Sequence, residues 1–199
     1  IVPGGFGTSG IEGKIAAIRY AREHDIPFLG LCYGLQLAIV EFARNVCGIT
    51  GANTVEVDEG CSDPVIDIQE SQRKIVEESK YGGTMRLGAY AAVLDKKSQV
   101  AQLYHSTGRD DKDGRRIKEL RKEDGQEFRL GKLGKGRIVL ERHRHRYEVN
   151  PRYIERVESE GLVFSGYHER EDGTLLMEFI ELPSNTFHVG TQAHPEFKS

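Results

Sequence analysis

The chain has 199 residues, a formal net charge of -3 and 38 % hydrophobic residues. This suits one large globular domain with a core of its own and gives no overall basic footprint for nucleic acid. No apolar run approaches the roughly 20 residues that a membrane-spanning helix needs. Three cysteines, none at zinc spacing, argue against a disulfide framework and for a reducing, cytoplasmic setting.

In chain order, Ile1-Val2 before Pro3-Gly4-Gly5-Phe6-Gly7 reads as the end of a strand whose start lies upstream, so a longer parent chain is expected. The glycine turn brings backbone N–H groups close to whatever lies above it. Ile11, Ile15, Ala16, Ile18 and Ala21 recur at helical spacing and predict an amphipathic helix over 11–23. The apolar run Ile26 to Leu31 then meets Gly30-x-Cys32-x-Gly34 and passes into a second helical pattern through Leu35, Ala38, Ile39, Phe42, Ala43 and Val46, with Gly48 placed to stop it.

We read this as a strand, a sharp turn and a helix with Cys32 at the apex, the cysteine version of a nucleophile elbow. A helix N-terminus there favours the thiolate. The spacing alone fits a buried structural cysteine equally well, so a base elsewhere has to decide. Alternating strands and helices with short links predict an α/β fold with a parallel sheet wound on both sides.

Further on, Asn53 to Asp58 alternates polar and β-branched residues around one carboxylate, Glu56. Val65 to Ile68 and Thr84 to Leu94 read as strands, the second at or near a sheet edge, and Lys96 to Tyr104 as a short helix. The stretch 108–136 mixes both charges with glycines, which predicts a solvated, mobile loop or surface helix. In Glu141-Arg142-His143-Arg144-His145-Arg146-Tyr147-Glu148, an extended backbone puts the arginines on one side and the histidines on the other. Flanking arginines disfavour a metal, and an arginine fork suits a carboxylate. Pro151 to Glu160 predicts a helix, and Leu162 to Tyr167 with Leu175 to Leu182 a hairpin around Asp172-Gly173. Near the end, His194-Pro195-Glu196 places an imidazole and a carboxylate on the same side of an extended chain, the orienting pair of a catalytic triad. Cys47 and Cys61 are read as structural or incidental.

Gly30-Leu31-Cys32-Tyr33-Gly34 with Gln36, and His194-Pro195-Glu196, resemble the triad-type class I glutamine amidotransferases. The blocks Pro3 to Gly7, Glu41 to Val46, Met85 to Gly88 and Glu141 to Asn150 resemble more closely the glutaminase domain of the CTP synthase family, and together they span nearly the whole chain. The resemblance implies one class I domain over 1–199, with a flavodoxin-like three-layer α/β sandwich, a mostly parallel central sheet and extra antiparallel strands; the charged stretch is longer than the resemblance predicts and reads as a surface insertion at 108–136.

The same resemblance implies Cys32 as nucleophile, His194 as general base and acid, and Glu196 as the residue orienting it. It implies the N–H groups of Gly5 and Tyr33 as the oxyanion hole. Substrate contacts would come from Gly5, Tyr33, Gly34, Leu35, Gln36, Glu56 and Arg146, with no metal. L-glutamine would be the substrate, and this domain would need no cofactor. ATP, Mg²⁺ and UTP would bind a covalently linked N-terminal amidoligase domain of a homotetramer, with GTP as allosteric activator. The lid segment departs from the family at Ser9, where an arginine is expected. Another cysteine-triad γ-glutamyl hydrolase would keep Cys32, His194 and Glu196 but leave the arginine-histidine run unexplained. A non-catalytic regulatory domain would typically have lost the nucleophile or the base.

Overall fold

A computed structural model describes residues 1–69 and 85–197. Helix α1 spans Ile11–Glu23, strand β1 Phe28–Leu31 and helix α2 Tyr33–Asn45, as the periodicity predicts. Gly48, at φ 72°, ends α2, and the Ile49 N–H reaches back to the Ala43 carbonyl at 2.9 Å. Short strands β2 (Ala52–Thr54) and β3 (Asp63–Ile68) follow, then the long β4 (Arg86–Leu94). Thr84, expected in that strand, lies outside the described residues.

Helices α3 (Gln99–Ser106), α4 (Arg109–Leu120) and α5 (Glu127–Leu130) precede β5 (Arg137–His145) and β6 (Tyr147–Val149). A 3-10 turn at Pro151–Tyr153 leads into α6 (Ile154–Ser159). Strands β7 (Val163–Glu169), β8 (Leu175–Glu181) and β9 (His188–Thr191) complete the order.

The main sheet runs β1-β9-β8-β7-β4-β5, and a second sheet runs β2-β3-β6. Its balance differs from the mostly parallel sheet expected. Among the described residues, only β1 and β9 pair in parallel within the main sheet, extended by a parallel bridge from Val2 to Gly30, and the other four pairings are antiparallel. The reason is connectivity. A parallel step needs a crossover such as α1 or α2 supplies, whereas β7 and β8 are joined by the tight turn at Asp172-Gly173, which returns the chain antiparallel.

The layering is helix, sheet, helix. On one face α1, α2 and α6 bury Ile15, Ile18, Leu35, Ile39 and Val157 with Met177 and Ile180. On the other, Val100 and Ala101 of α3 pack with Leu94, Val139, Phe179 and Val189. Phe179 and Ile180 are adjacent on β8 and enter opposite layers, as the period of two requires. The charged stretch 108–136 carries α4, which buries Ile117 and Leu120 against Ala91 and Leu140. β5 lies at the end of the sheet. Its Leu140 N–H donates to Asp113 Oδ2 at 2.9 Å, and its carbonyl accepts from Arg109 Nη2 at 3.0 Å. Four apolar side chains and two backbone bonds therefore make this segment part of the fold.

The elbow depends on its glycines. A β-carbon at Gly30 would stand 2.7 Å from the Gly34 carbonyl carbon and 2.9 Å from the Leu35 nitrogen, and one at Gly34 would run into the Val2 carbonyl oxygen. All three are backbone atoms held by the sheet and helix. Gly30→Ala is expected to lower stability by about 3 kcal/mol, read as a reduced midpoint in urea with an unchanged slope.

Candidate active site

Between β1 and α2, Cys32 adopts φ 48° and ψ -99°, one of two non-glycine residues with positive φ among those described. Such a backbone costs about 1–3 kcal/mol and persists only when its surroundings enforce it. Here the Cys32 N–H donates to the Thr191 carbonyl at 2.7 Å, tying the apex to the end of β9. The same strand end carries the His194 loop, so β1 and β9, adjacent and parallel, deliver cysteine and histidine from opposite ends of the sequence.

Both residues line one cavity of about 450 Å³, together with Gly5, Gln36, Glu56 and Arg146 among others. His194 Nδ1 lies 2.7 Å from Glu196 Oε1, its backbone N–H donates to the Arg142 carbonyl at 2.7 Å, and its ring stacks on Phe197 with centroids 4.7 Å apart. With Nδ1–H donated to the carboxylate, Nε2 is left with its lone pair free. Glu196 itself is exposed, so water as well as the imidazole solvates it.

The helix N-terminus does not give Cys32 the low pKa expected from its position. The residue is only 4 % exposed, and burial pushes the thiol up to about 12, reinforced by the carboxylates of Glu148 and Glu56 and opposed by the Tyr33 N–H and the Gln192 amide. The resting group is the neutral thiol, and a thiolate has to be made by a base.

Glu56 accepts from the Gly7 N–H at 3.0 Å, and Tyr33 Oη donates to the Gly7 carbonyl at 2.7 Å. The glycine turn is thus clamped over the cavity from both sides. Burial raises the pKa of Glu56, while the Gly7 bond and nearby Arg146 lower it. Gln36 donates from Nε2 to the Tyr147 carbonyl at 3.1 Å, and its buried Oε1 has no partner among the described residues. Tyr33, Gly34 and Leu35 open α2 and are buried. The Leu35 side chain belongs to the core rather than to the cavity, because the helix turns it toward the sheet. Only its backbone remains available to a ligand.

The histidine and arginine faces of β5 separate as expected, with His143 and His145 buried and Arg142 and Arg144 exposed. The histidines serve a buried ionic cluster. Arg86 Nη1 lies 3.2 Å from Glu148 Oε1, Arg86 Nη2 2.7 Å from Glu178 Oε1, and His143 Nε2 2.6 Å from Glu178 Oε2. His145 Nδ1 contacts the Tyr147 carbonyl at 3.1 Å, and His145 also lines the cavity. No group of three or more histidine, cysteine, aspartate or glutamate side chains suited to a metal occurs among the described residues. No helix among them is long and apolar enough to cross a membrane.

Sequence reasoning missed Gln192, fully buried, whose Nε2 donates to Cys32 Sγ at 3.6 Å. The signal was present. In an extended strand Gln192 belongs to the same alternating set as His194 and Glu196. It also missed Phe6, Met85, Tyr147 and Phe197 as cavity walls, which no local pattern marks.

The family description "Glutamine amidotransferase class-I" matches residues 1–199. CTP synthase of Methanocaldococcus jannaschii is 50 % identical over 199 residues, which is all of this chain and 30 % of that protein. CTP synthase of Thermococcus gammatolerans is 48 % identical over all of this chain and 31 % of that protein. The chain thus spans about a third of the length of the curated relatives it matches. A solved structure, the Trypanosoma brucei CTPS glutaminase domain with bound acivicin, superposes with a TM-score of 0.76 at 34 % identity, covering all of this chain and 63 % of that one. A family match over the whole length, on a sheet that brings the Gly-x-Cys-x-Gly turn and the His-Pro-Glu loop to one cavity, makes this chain a member of the class I glutamine amidotransferase family.

Proposed function

We propose that this chain is the glutaminase half of a CTP synthase, hydrolysing L-glutamine to glutamate and ammonia through a Cys32 thioester. The observation that carries the reading is that one cavity is lined by both Cys32 and His194, the latter held by Glu196 at 2.7 Å. His194 Nε2 takes the thiol proton, and sulfur attacks the side-chain amide carbon. The oxyanion forms against the N–H groups of Gly5 and Tyr33, where each such donor is worth about 10²–10³ in rate. The C–N bond breaks as His194 returns the proton to nitrogen, releasing ammonia. Water, deprotonated by the same imidazole, then hydrolyses the thioester to glutamate and the free thiol.

Glu56 suits the α-ammonium group, since the Gly7 bond occupies only Oε1. Arg146, beside it on the cavity wall, suits the α-carboxylate. The unpartnered Gln36 Oε1 supplies a further acceptor.

In the whole enzyme the ammonia would aminate UTP to CTP at the expense of ATP, with Mg²⁺, in a linked amidoligase domain. The names of the relatives support the CTP-forming step; GTP activation, a homotetramer and a cytoplasmic location are further parts of the same proposal. Incubating the protein with L-glutamine tests the glutaminase step. Equimolar glutamate and ammonia are expected, and CTP should appear when the longer protein is supplied with UTP, ATP and Mg²⁺. Absence of glutamate release from the longer protein under those conditions would refute the reading.

A further inference from the structure

Cys32 sulfur is touched by one polar side chain that the reaction as described leaves idle, the Gln192 carboxamide. Which end of that amide faces the sulfur follows from a chain of obligate partners. The Tyr147 backbone carbonyl can only accept, so the Gln36 atom 3.1 Å from it is the NH₂ group. That nitrogen has a second hydrogen, and the next atom, 3.3 Å away on Gln192, must accept it and is Oε1. The remaining end of the Gln192 amide is therefore its NH₂ group, 3.6 Å from Cys32 Sγ. Gln36 is 2 % exposed and Gln192 0 %, so both amides are held by protein contacts away from bulk solvent. The Gln192 backbone is fixed as well, its N–H donating to the Glu178 carbonyl at 2.8 Å.

We infer that Gln192 is a catalytic residue of this site, a fixed N–H donor to Cys32 Sγ whose direction is set from the Tyr147 carbonyl through Gln36 acting as a positioning residue. This deepens the glutaminase reading and rests on it for its consequence in turnover. The donor acts wherever sulfur carries negative charge, as the thiolate before attack and again as the leaving group when water opens the thioester. Because an amide does not titrate, the donor is present at every working pH. It also offsets, in part, the burial that otherwise keeps this thiol protonated.

The test is the rate at which iodoacetamide alkylates Cys32, followed by peptide mass spectrometry with the partly exposed Cys61 as internal reference. Losing one hydrogen bond to a charged atom is worth about tenfold. Gln192→Leu is therefore expected to slow alkylation of Cys32 about tenfold relative to Cys61 at every pH below the thiol midpoint. In the same variant kcat should fall by a similar factor while KM stays within about twofold. Should Gln192→Leu fail to fold, Gln192→Glu keeps the shape and replaces the donor with an acceptor, and its Cys32 alkylation should slow at least as far. An unchanged ratio of Cys32 to Cys61 alkylation in a folded variant overturns the inference. Glutamate release by the wild type with an unchanged alkylation ratio in the variants would refute the Gln192 role alone, whereas slowed alkylation in the variants together with no glutamate release by the wild type would refute the glutaminase reading alone.

Discussion

Cys32→Ala is expected to abolish glutamate release, with a fall of at least about 10⁴ in kcat, while the protein remains folded and still binds glutamine. The size of the effect follows from the chemistry. Removing the nucleophile leaves only the oxyanion donors and binding contacts, and triad enzymes stripped in this way lose roughly 10⁴–10⁶ in rate. Folding should survive, because the lost sulfur has one side-chain partner, Gln192, and alanine relieves none of the backbone bonds that hold the turn, such as Cys32 N–H to Thr191. A coupled glutamate dehydrogenase assay reads the rate, and isothermal titration with glutamine reads the binding. Turnover within tenfold of wild type would end the assignment of Cys32 as nucleophile.

Arg86→Met is expected to produce the largest stability loss of any single side-chain change considered, about 3–5 kcal/mol. That corresponds to a drop on the order of 10 °C in melting temperature. Arg86 is buried between Glu148 and Glu178 and lies over the Tyr90 ring at 4.4 Å, so removing it strands two carboxylates away from water. The two acids are not equivalent. Glu178 pairs with both Arg86 and His143 and is held well below the ordinary glutamate range despite its burial. Glu148 has one oxygen without a hydrogen-bond partner among the described residues, and burial pushes its carboxyl up to about 8.

The pH dependence follows from these directions. Glu178, with its folded-state value depressed, contributes stability that is fully present above the ordinary glutamate value and is lost as pH falls below that value through the depressed one. Glu148, with its value raised, contributes stability fully present below the ordinary value that is lost as pH rises toward about 8. Without Arg86 both acids bind protons more readily in the folded state, so the deficit of the variant should narrow as pH falls from 8 to 5. Urea titrations at several pH values measure this. A deficit independent of pH would show that Arg86 stabilises through packing alone.

The site was more legible in the sequence than the sheet. The elbow announces itself because three constraints coincide within five residues: Gly30 and Gly34 clear the backbone crossing and Cys32 takes the strained apex. His194-Pro195-Glu196 is equally local. The direction of the strands depends instead on which segments return by a tight turn and which by a helix: the β7–β8 hairpin is legible from its turn, whereas β4 pairs with β5 and β7 over long sequence separations that periodicity cannot order. The charged stretch 108–136 misleads for a related reason. Its helix α4 has two buried apolar side chains, Ile117 and Leu120, hidden among nine charged residues, and what secures it is a pair of bonds from Asp113 and Arg109 to a strand some thirty residues away. The thiol was misjudged because a helix N-terminus is visible in a sequence whereas 4 % exposure is not.

That last pair of bonds has a bearing on how the protein behaves in a crowded solution. An open sheet margin ordinarily invites another chain to add itself as one more strand, the first step toward aggregates. At the midpoint of β5 the place a foreign strand would occupy is already filled by one carboxylate and one guanidinium of the same polypeptide, both carried on a rigid helix. At that point the edge is therefore closed to a further strand, and the charge around it opposes strand addition.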